Sequence, residues 1–149
     1  MPIERKNAVR VVLDTSVWVS ALLWTGLPHQ LLKLIENGEI KAVISPVLVK
    51  ELREVLGRDK FASILVARES SVPELMKEVL KQVELYEPVS VTGIVERDPD
   101  DDNVIACAIA GKVQWIISGD DDLLAIEKYK DILIGSPKRF LEVEFSDYL

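Results

Sequence analysis

Short apolar runs alternate with amphipathic segments along almost the whole chain, and this alternation limits the fold more than any other feature. Four of the runs are brief and rich in β-branched residues, which predicts buried strands over residues 8–13, 42–44, 115–117 and 132–134. Strands that are separated by helices favour parallel pairing through crossover connections. We therefore expect an α/β protein, a three-layer α/β/α sandwich with a central, mostly parallel sheet.

Helical periodicity and capping residues predict the helices of this sandwich. Gly38 ends the second helix, and Ser45 followed by Pro46 is typical of an N-cap and first helical residue. Ser71 with Glu74 three residues later forms a capping-box pattern. The predicted helices span residues 15–24, 28–37, 46–56, 60–68, 73–85, 101–111 and 122–128. Residues 89–91 are expected to form a brief strand or an extended link, and the segment after Pro137 carries no clear pattern.

The length and composition indicate one globular domain over residues 1–149. The chain has 149 residues, 48% of them hydrophobic, and shows no internal repeat or flexible linker. No apolar run reaches the 18 uncharged residues expected of a membrane span, and Asp14 interrupts the first apolar stretch, unlike a signal peptide. The single cysteine, Cys107, excludes an internal disulfide and a thiolate metal cage. We expect a cytoplasmic protein.

The charge balance argues against binding nucleic acid by charge alone. The chain has 18 basic and 25 acidic residues, which give a net charge of −7. Proteins that bind the phosphate backbone of nucleic acid through charge alone are usually basic. This argument weakens if the acids converge on metal ions, because bound cations then become the dominant local charges. The candidate phosphate contacts are Arg53, Arg58, Lys60, Arg97, Lys138 and Arg139, although each is also an ordinary surface charge.

Two aspartates directly follow predicted strands. Asp14 ends the first strand, and Asp120 follows the apolar run 115–117. Ligands of open α/β sheets bind outside the carboxyl ends of the strands, so neighbouring strands would bring both acids to one crevice. Ser118 is placed to hydrogen-bond a ligand carboxylate or a metal-bound water. Asp122 is a further ligand, or instead the cap of the short helix that follows it.

The alternative for Asp14 is that it caps the first helix. Thr15 and Ser16 are also good capping residues, so we expect that Asp14 is not needed for this task. Ser118, Thr15, Ser16 and Asp101 are secondary members of the predicted site.

Glu51 and Asp102 are the acids that helical spacing turns toward the interior. Glu51 lies one turn from Val47, Leu48 and Val55, and a carboxylate on that side is costly unless paired or metal-bound. An edge position that reaches water is the alternative. The run Asp98, Asp100, Asp101 and Asp102 opens a helix, where the dipole stabilises acids by ~0.3–1 kcal/mol each. Mutual repulsion in this run favours a cation, and Asp102 lies above the face of Ile105 and Ala106.

Other chemically suggestive residues have simpler explanations. His29 has no nearby acidic partner in sequence, and Cys107 is interpreted as a small core residue. Trp18 and Trp24 are expected in the core, with a dimer contact as the alternative.

The four acidic motifs resemble those of the PIN-domain nucleases in order and spacing, over essentially the whole chain. The motifs are LDTSVWVSAL with Asp14, KELREVL with Glu51, DDDNVIACAIA with Asp102 and ISGDDDLL with Asp120. The last resembles the family's Thr/Ser-x-Asp-x-Asp segment, except that Leu123 stands where many members have phenylalanine. No single motif is specific, but the ordered set is.

The resemblance implies a Rossmann-like sheet and a Mg²⁺- or Mn²⁺-dependent ribonuclease, with Asp14, Glu51, Asp102, Asp120 and Asp122 as metal ligands. Many stand-alone members of this size are VapC-like toxins of toxin–antitoxin pairs and are usually dimeric, which implies RNA, an antitoxin protein and a second copy of the chain as partners. Two ions are expected, one activating water and one stabilising the leaving oxygen.

Two other classes of function are compatible with part of the pattern. A Mg²⁺-dependent phosphatase of the haloacid dehalogenase type also begins with an aspartate after the first strand, but it needs a second one where Ser16 stands. A receiver domain needs an acid pair at Asp14, which is missing. A PIN-like module that binds RNA or protein without cutting has no need for all four acids.

Overall fold

The computed structural model describes residues 8–87 and 99–148 and centres on one six-stranded sheet. The strand order is β3-β2-β1-β4-β6-β5, and all neighbours pair in parallel except β5 and β6. The predicted α/β fold with a mostly parallel sheet is therefore confirmed. The strands are β1 Val9–Leu13, β2 Ile40–Ile44, β3 Val83–Leu85, β4 Trp115–Ile117, β5 Lys128–Tyr129 and β6 Ile132–Gly135.

Eight α-helices connect and follow these strands in the described part of the chain. Ser45 and Ser71 cap α3 and α5 as expected, each accepting a backbone N–H from the residue three positions later. A proline begins α3 directly after its cap, and its fixed φ suits the first helical turn. The helices are α1 Thr15–Leu23, α2 Leu27–Glu36, α3 Pro46–Leu56, α4 Ala62–Ala67, α5 Val72–Gln82, α6 Pro99–Ala110, α7 Asp121–Leu124 and α8 Pro137–Glu144.

Helices cover both faces of the sheet, so the predicted three layers are present. Alternate β1 residues point to opposite sides: Val11 and Leu13 pack with α1, α2 and α8, whereas Val12 packs with α6. Strands buried on both faces are the expected consequence of parallel pairing with helical crossovers. Trp18 lies within the first of these cores, at 1% exposure, which confirms its predicted core position. The same prediction for Trp24 is wrong, because its side chain is 44% exposed.

Two sequence predictions about local structure are corrected by the structure, and one segment without a predicted element is a helix. Residues 83–85 were predicted as the end of a helix, but α5 ends at Gln82 and this segment pairs with β2. The hydrogen bonds to β2 outweigh a weak helical preference in a chain segment that reaches the sheet edge. The helix predicted over 122–128 ends at Leu124, because Glu127 adopts a left-handed conformation (φ 61°) and the chain then forms β5. The segment after Pro137, left without a prediction, forms α8.

The remaining predicted elements agree with the structure to within a few residues. The helix expected over 101–111 begins earlier, at Pro99. The expectation for residues 89–91 falls outside the described residues. None of the helices within 8–87 and 99–148 combines the length and apolar character that a membrane crossing requires.

Gly111, the residue directly after α6, packs closely against Val43 of β2, and this contact gives a prediction about stability. A β-carbon on Gly111 would lie 2.5 Å from Cγ1 of Val43, whereas one on Gly57 would meet nothing closer than 3.5 Å. Gly111→Ala should lower the free energy of unfolding by about 1–3 kcal/mol through overpacking. Gly57→Ala, the matched control, should change it far less, as measured by urea denaturation. Equal stability of the two variants would contradict the close packing of α6 on β2.

Candidate active site

The carboxyl ends of β1 and β4 lie side by side and are level with each other. The two strands pair in parallel with Leu13 opposite Ile117, and the N–H of Asp14 donates to the carbonyl of Ile117 at 2.9 Å. The residues that leave each strand, Asp14 and Ser118, therefore enter the same crevice at the edge of the sheet. This arrangement confirms the predicted proximity of the two strand ends, and it is where open α/β sheets bind ligands.

Both carboxylate oxygens of Asp14 accept hydrogen bonds that fix its orientation. Oδ1 accepts the backbone N–H of Thr15 at 2.8 Å, and Oδ2 accepts the hydroxyl of Ser118 at 2.7 Å. Asp14 is the N-cap of α1. The expectation that Thr15 or Ser16 could cap this helix, so that Asp14 is not needed as its cap, was therefore wrong. Capping and a functional role are compatible, because an ionised carboxylate has about four acceptor positions.

Ser118 joins the two strand-end aspartates through one hydroxyl group. Its Oγ donates to Asp14 and accepts the backbone N–H of Asp120 at 2.9 Å, and its side chain is fully buried. The predicted hydrogen bond between Ser118 and a carboxylate is thus confirmed. Because this buried hydroxyl donates to Asp14 and accepts from Asp120 at once, it holds the loop after β4 against Asp14.

Asp120, rather than Asp122, is the cap of the short helix α7. Oδ1 of Asp120 accepts the N–H of Asp122 at 2.8 Å, which corrects the alternative that placed the cap at Asp122. Asp122 itself lies in the first turn of α7 and is half-buried.

A cleft of about 780 Å³ opens over this edge of the sheet. Three acids from separate elements border it: Asp14 after β1, Glu51 on α3 and Asp120 after β4. The hydroxyl-bearing residues Thr15, Ser16 and Ser20 border the same space. The rest of its lining comes from Val19, Trp24, Val55, Arg58, Lys60, Phe61 and Gly119.

Glu51 lies at the boundary between the core and the cleft. The buried residues of α3 are Leu48, Leu52 and Leu56, whereas Val47, which was predicted to lie beside Glu51 on the apolar side, is 38% exposed. The half-buried Glu51 borders the cleft together with Val55, one turn later. This position places a third carboxylate on the cleft that the two strand-end aspartates border.

Asp102 is buried, at 8% exposure, near the start of α6, which confirms its predicted inward position. It does not border the 780 Å³ cleft, and neither does Asp122. The side chain of Asp101 lies outside the described residues. Among the side chains described, no three of the histidine, cysteine, aspartate and glutamate residues converge as a ready-made metal-binding group. The acids therefore surround one edge of the sheet without meeting at a single point.

The donor set at the cleft fits a hard divalent cation. Carboxylates and hydroxyls supply only oxygen atoms, which are the ligands that Mg²⁺ and Mn²⁺ prefer. The soft or nitrogen donors lie elsewhere: His29 Nδ1 is 2.9 Å from the carbonyl of Ala21 on α1, and Cys107 is fully buried on α6. Burial raises the pKa of Cys107 to about 11, so the residue stays a protonated thiol and is not a nucleophile.

Sequence reasoning missed how the basic and aromatic residues are distributed around the cleft. Of the six candidate phosphate contacts, Arg58 and Lys60 border it, while Arg53, Lys138 and Arg139 do not, and Arg97 lies outside the described residues. The position of Phe61 at the cleft was not predicted. A short 3₁₀ turn at Asp59–Phe61 brings this residue to the cleft, and no periodic sequence pattern predicts such a turn.

The chain belongs to the PIN-domain family. A family model described as PIN domain matches residues 10–122, which is well over half of the 149 residues. The match begins on β1 and ends at Asp122, so it includes the four motif acids. Members of this family are generally nucleases that act on nucleic acid and use divalent metal ions. A comparison with curated proteins finds no match.

Removal of the Ser118 hydroxyl tests how strongly it holds the site together. Ser118→Ala leaves the buried Asp14 oxygen and the Asp120 N–H without this partner, and it should lower the free energy of unfolding by about 1–3 kcal/mol. Ser16→Ala removes an exposed hydroxyl from the same cleft and should stay within about 0.5 kcal/mol of the wild type. Denaturant unfolding of both variants gives the comparison. A neutral Ser118→Ala would show that the hydroxyl does not fix the aspartates.

Proposed function

We propose that this PIN-domain protein is a divalent-metal-dependent endoribonuclease whose site is formed by Asp14, Glu51, Asp102 and Asp120. The observation that carries the proposal is the hydrogen-bonded link from Asp14 through Ser118 to Asp120, with Glu51 across the same cleft. A protein with no need to hold cations has little reason to fix carboxylates beside one another at the open edge of a sheet, because like charges repel.

The proposed ligands are carboxylates from four different elements. Asp14, Glu51 and Asp120 would hold Mg²⁺ or Mn²⁺ at the cleft, and Asp102 would contribute from the start of α6, with Asp122 as a further ligand and two ions in all. When bound, such ions activate water as a nucleophile and stabilise the leaving oxygen of a phosphodiester. Asp101, Thr15 and Ser16 are proposed as secondary members of this site.

The chain's own residues orient the acids and receive the substrate. The hydroxyl of Ser118 and the N–H of Thr15 fix the Asp14 carboxylate, which supports a preorganised position for the ligand oxygens. Arg58 and Lys60 stand on the same cleft and are suited to phosphate contacts. The acids of the cleft contribute part of the net charge of −7. Acids that hold cations do not oppose the binding of RNA, because the bound cations compensate their charge.

The alternative functions have less support. A phosphatase of the haloacid dehalogenase type needs an acid two residues after Asp14, where Ser16 stands, exposed, in the first turn of α1. A module that binds RNA or protein without cutting it would not require Asp14, Glu51 and Asp120 on one cleft. Family membership supports nuclease chemistry over both.

The proposal extends, on the family resemblance, to a cytoplasmic toxin that pairs with an antitoxin protein and forms a homodimer. Trp18 is buried and does not contribute to a dimer surface, so the dimer part rests on other residues. Growth arrest on expression of the wild type, but not of Asp14→Asn, is the cellular result expected of a toxin.

An RNA cleavage assay with the purified protein tests the catalytic proposal. Asp14→Asn keeps the shape of the side chain and removes its charge, so cleavage in Mg²⁺ or Mn²⁺ should fall by at least about a hundredfold. The matched control is Asp131→Asn, which neutralises an exposed aspartate away from the cleft and should cut like the wild type. Chelation with EDTA should abolish the activity of both active proteins.

Two outcomes would contradict the proposal. One is equal cleavage by the wild type and Asp14→Asn, which would indicate a contaminating nuclease or another site. The other is no cleavage by the wild type with either metal across structured and unstructured RNAs.

A further inference from the structure

The end of α1 forms part of the wall of the cleft. Val19, Ser20 and Trp24 follow one another along the cleft side of this helix, and Trp24 is its C-cap residue. The nine residues of α1 separate its N-cap Asp14 from its C-cap Trp24, a distance of about 15 Å along the helix axis. The indole of Trp24 is 44% exposed, an unusual position for a tryptophan in a chain that buries its other two.

Trp24 is held in place by an aromatic neighbour. Its ring meets Phe61 edge to face, with centroids 5.9 Å apart and an interplanar angle of 68°. Phe61 is itself only 8% exposed and contacts the core, so it anchors the indole from the protein side. The part of Trp24 that remains accessible therefore borders the cleft in a fixed position.

One cation contacts this aromatic pair, and a second borders the same cleft. Nζ of Lys60 lies 5.1 Å from the centre of the Phe61 ring, and Arg58 borders the same cleft. Within residues 8–87 and 99–148, neither cation forms an ion pair with an acidic side chain. Fixed aromatic surface with adjacent cations is the combination that binds single-stranded nucleic acid, since bases stack on the ring and phosphates contact the charges.

We propose that Trp24 forms a stacking subsite for an unpaired nucleobase of single-stranded RNA, with Arg58 and Lys60 contacting the neighbouring phosphates. The inference rests on the proposed ribonuclease function. It adds that the substrate is single-stranded RNA and that Trp24, at the end of α1, selects it. The bases of a duplex are already stacked and paired, so their faces are not available to Trp24. The subsite therefore favours single strands and fixes the register of the strand about 15 Å from Asp14.

A protein segment is the competing occupant of this wall. Val19, Val55 and Trp24 would also accept an apolar side chain. The cations and the acids that border the same cleft favour a polyanion that must reach a cation-binding site. We therefore commit to RNA and treat a protein occupant as an outcome of the test.

The test measures binding rather than cleavage. A fluorescently labelled single-stranded RNA and a duplex of the same sequence are titrated with protein in EDTA, and again with Mg²⁺ in the Asp14→Asn background. Trp24→Ala should weaken binding of the single strand by about tenfold, whereas Trp24→Phe should retain most of the affinity. Arg58→Ala and Lys60→Ala should each weaken binding and reduce its salt dependence.

Matched controls separate this subsite from general effects. Val143→Ala truncates another exposed apolar side chain, and Lys33→Ala removes an exposed lysine outside the cleft; both should bind like the wild type. Thermal unfolding checks that Trp24→Ala is folded. If Trp24→Ala is unfolded, Trp24→Phe serves as the second variant, because it keeps an aromatic contact with Phe61. In the wild type, bound RNA should also quench the fluorescence of Trp24, because Trp18 and Trp115 are buried.

The outcomes distinguish this inference from the proposed function. Loss of single-strand binding in Trp24→Ala without any cleavage by the wild type would support the subsite and overturn the ribonuclease. Cleavage with single-strand affinity unchanged in Trp24→Ala would overturn the subsite alone. Equal weakening for single strand and duplex would also overturn it. A wild type that binds no RNA would overturn the subsite as well. That result is expected if a protein segment, rather than RNA, binds at Trp24.

Discussion

The hydrogen bond between the hydroxyl of Ser118 and Oδ2 of Asp14 is the interaction on which the site depends. It joins two loops that are 104 residues apart in sequence, and it is available only because β1 and β4 pair in parallel with Leu13 opposite Ile117. The same hydroxyl accepts the N–H of Asp120, so the position of one acid constrains the other. Each of these aspartates also caps the helix that follows it, α1 or α7, which ties the carboxylates to the rigid part of the fold.

The cleft combines two opposite electrostatic surfaces, and this resolves the apparent conflict between an acidic chain and an anionic substrate. Asp14 and Asp120 follow strands at the edge of the sheet, Glu51 borders the same cleft from α3, and Arg58 and Lys60 add positive charge to its lining. Under the proposed function, cations neutralise the first group and RNA phosphates meet the second. The net charge of the whole chain is therefore a poor guide, because local placement decides what the site attracts.

Sequence reasoning succeeded where a side chain's position follows from the period of its own element. Asp14 and Asp120 were predictable because each follows a short apolar strand, and the burial of Asp102 followed from its spacing to Ile105 on α6. Reasoning of this kind failed where contacts between distant segments decide the conformation. Residues 83–85 joined β2 instead of extending α5, and Phe61 reached the cleft through a turn without periodic pattern. The capping of α1 by Asp14 was also missed, because several residues there could serve equally well.

The central claim is that carboxylates from separate elements jointly hold a divalent cation, and a Mn²⁺ titration followed by electron paramagnetic resonance tests it most directly. The account predicts saturable Mn²⁺ binding by the wild-type protein and by Asp131→Asn. Affinity should fall about tenfold or more in Asp14→Asn and in Glu51→Gln, because each removes a charged ligand oxygen. Undetectable binding by the wild type, or equal affinity in the wild type and Asp14→Asn, would contradict the claim.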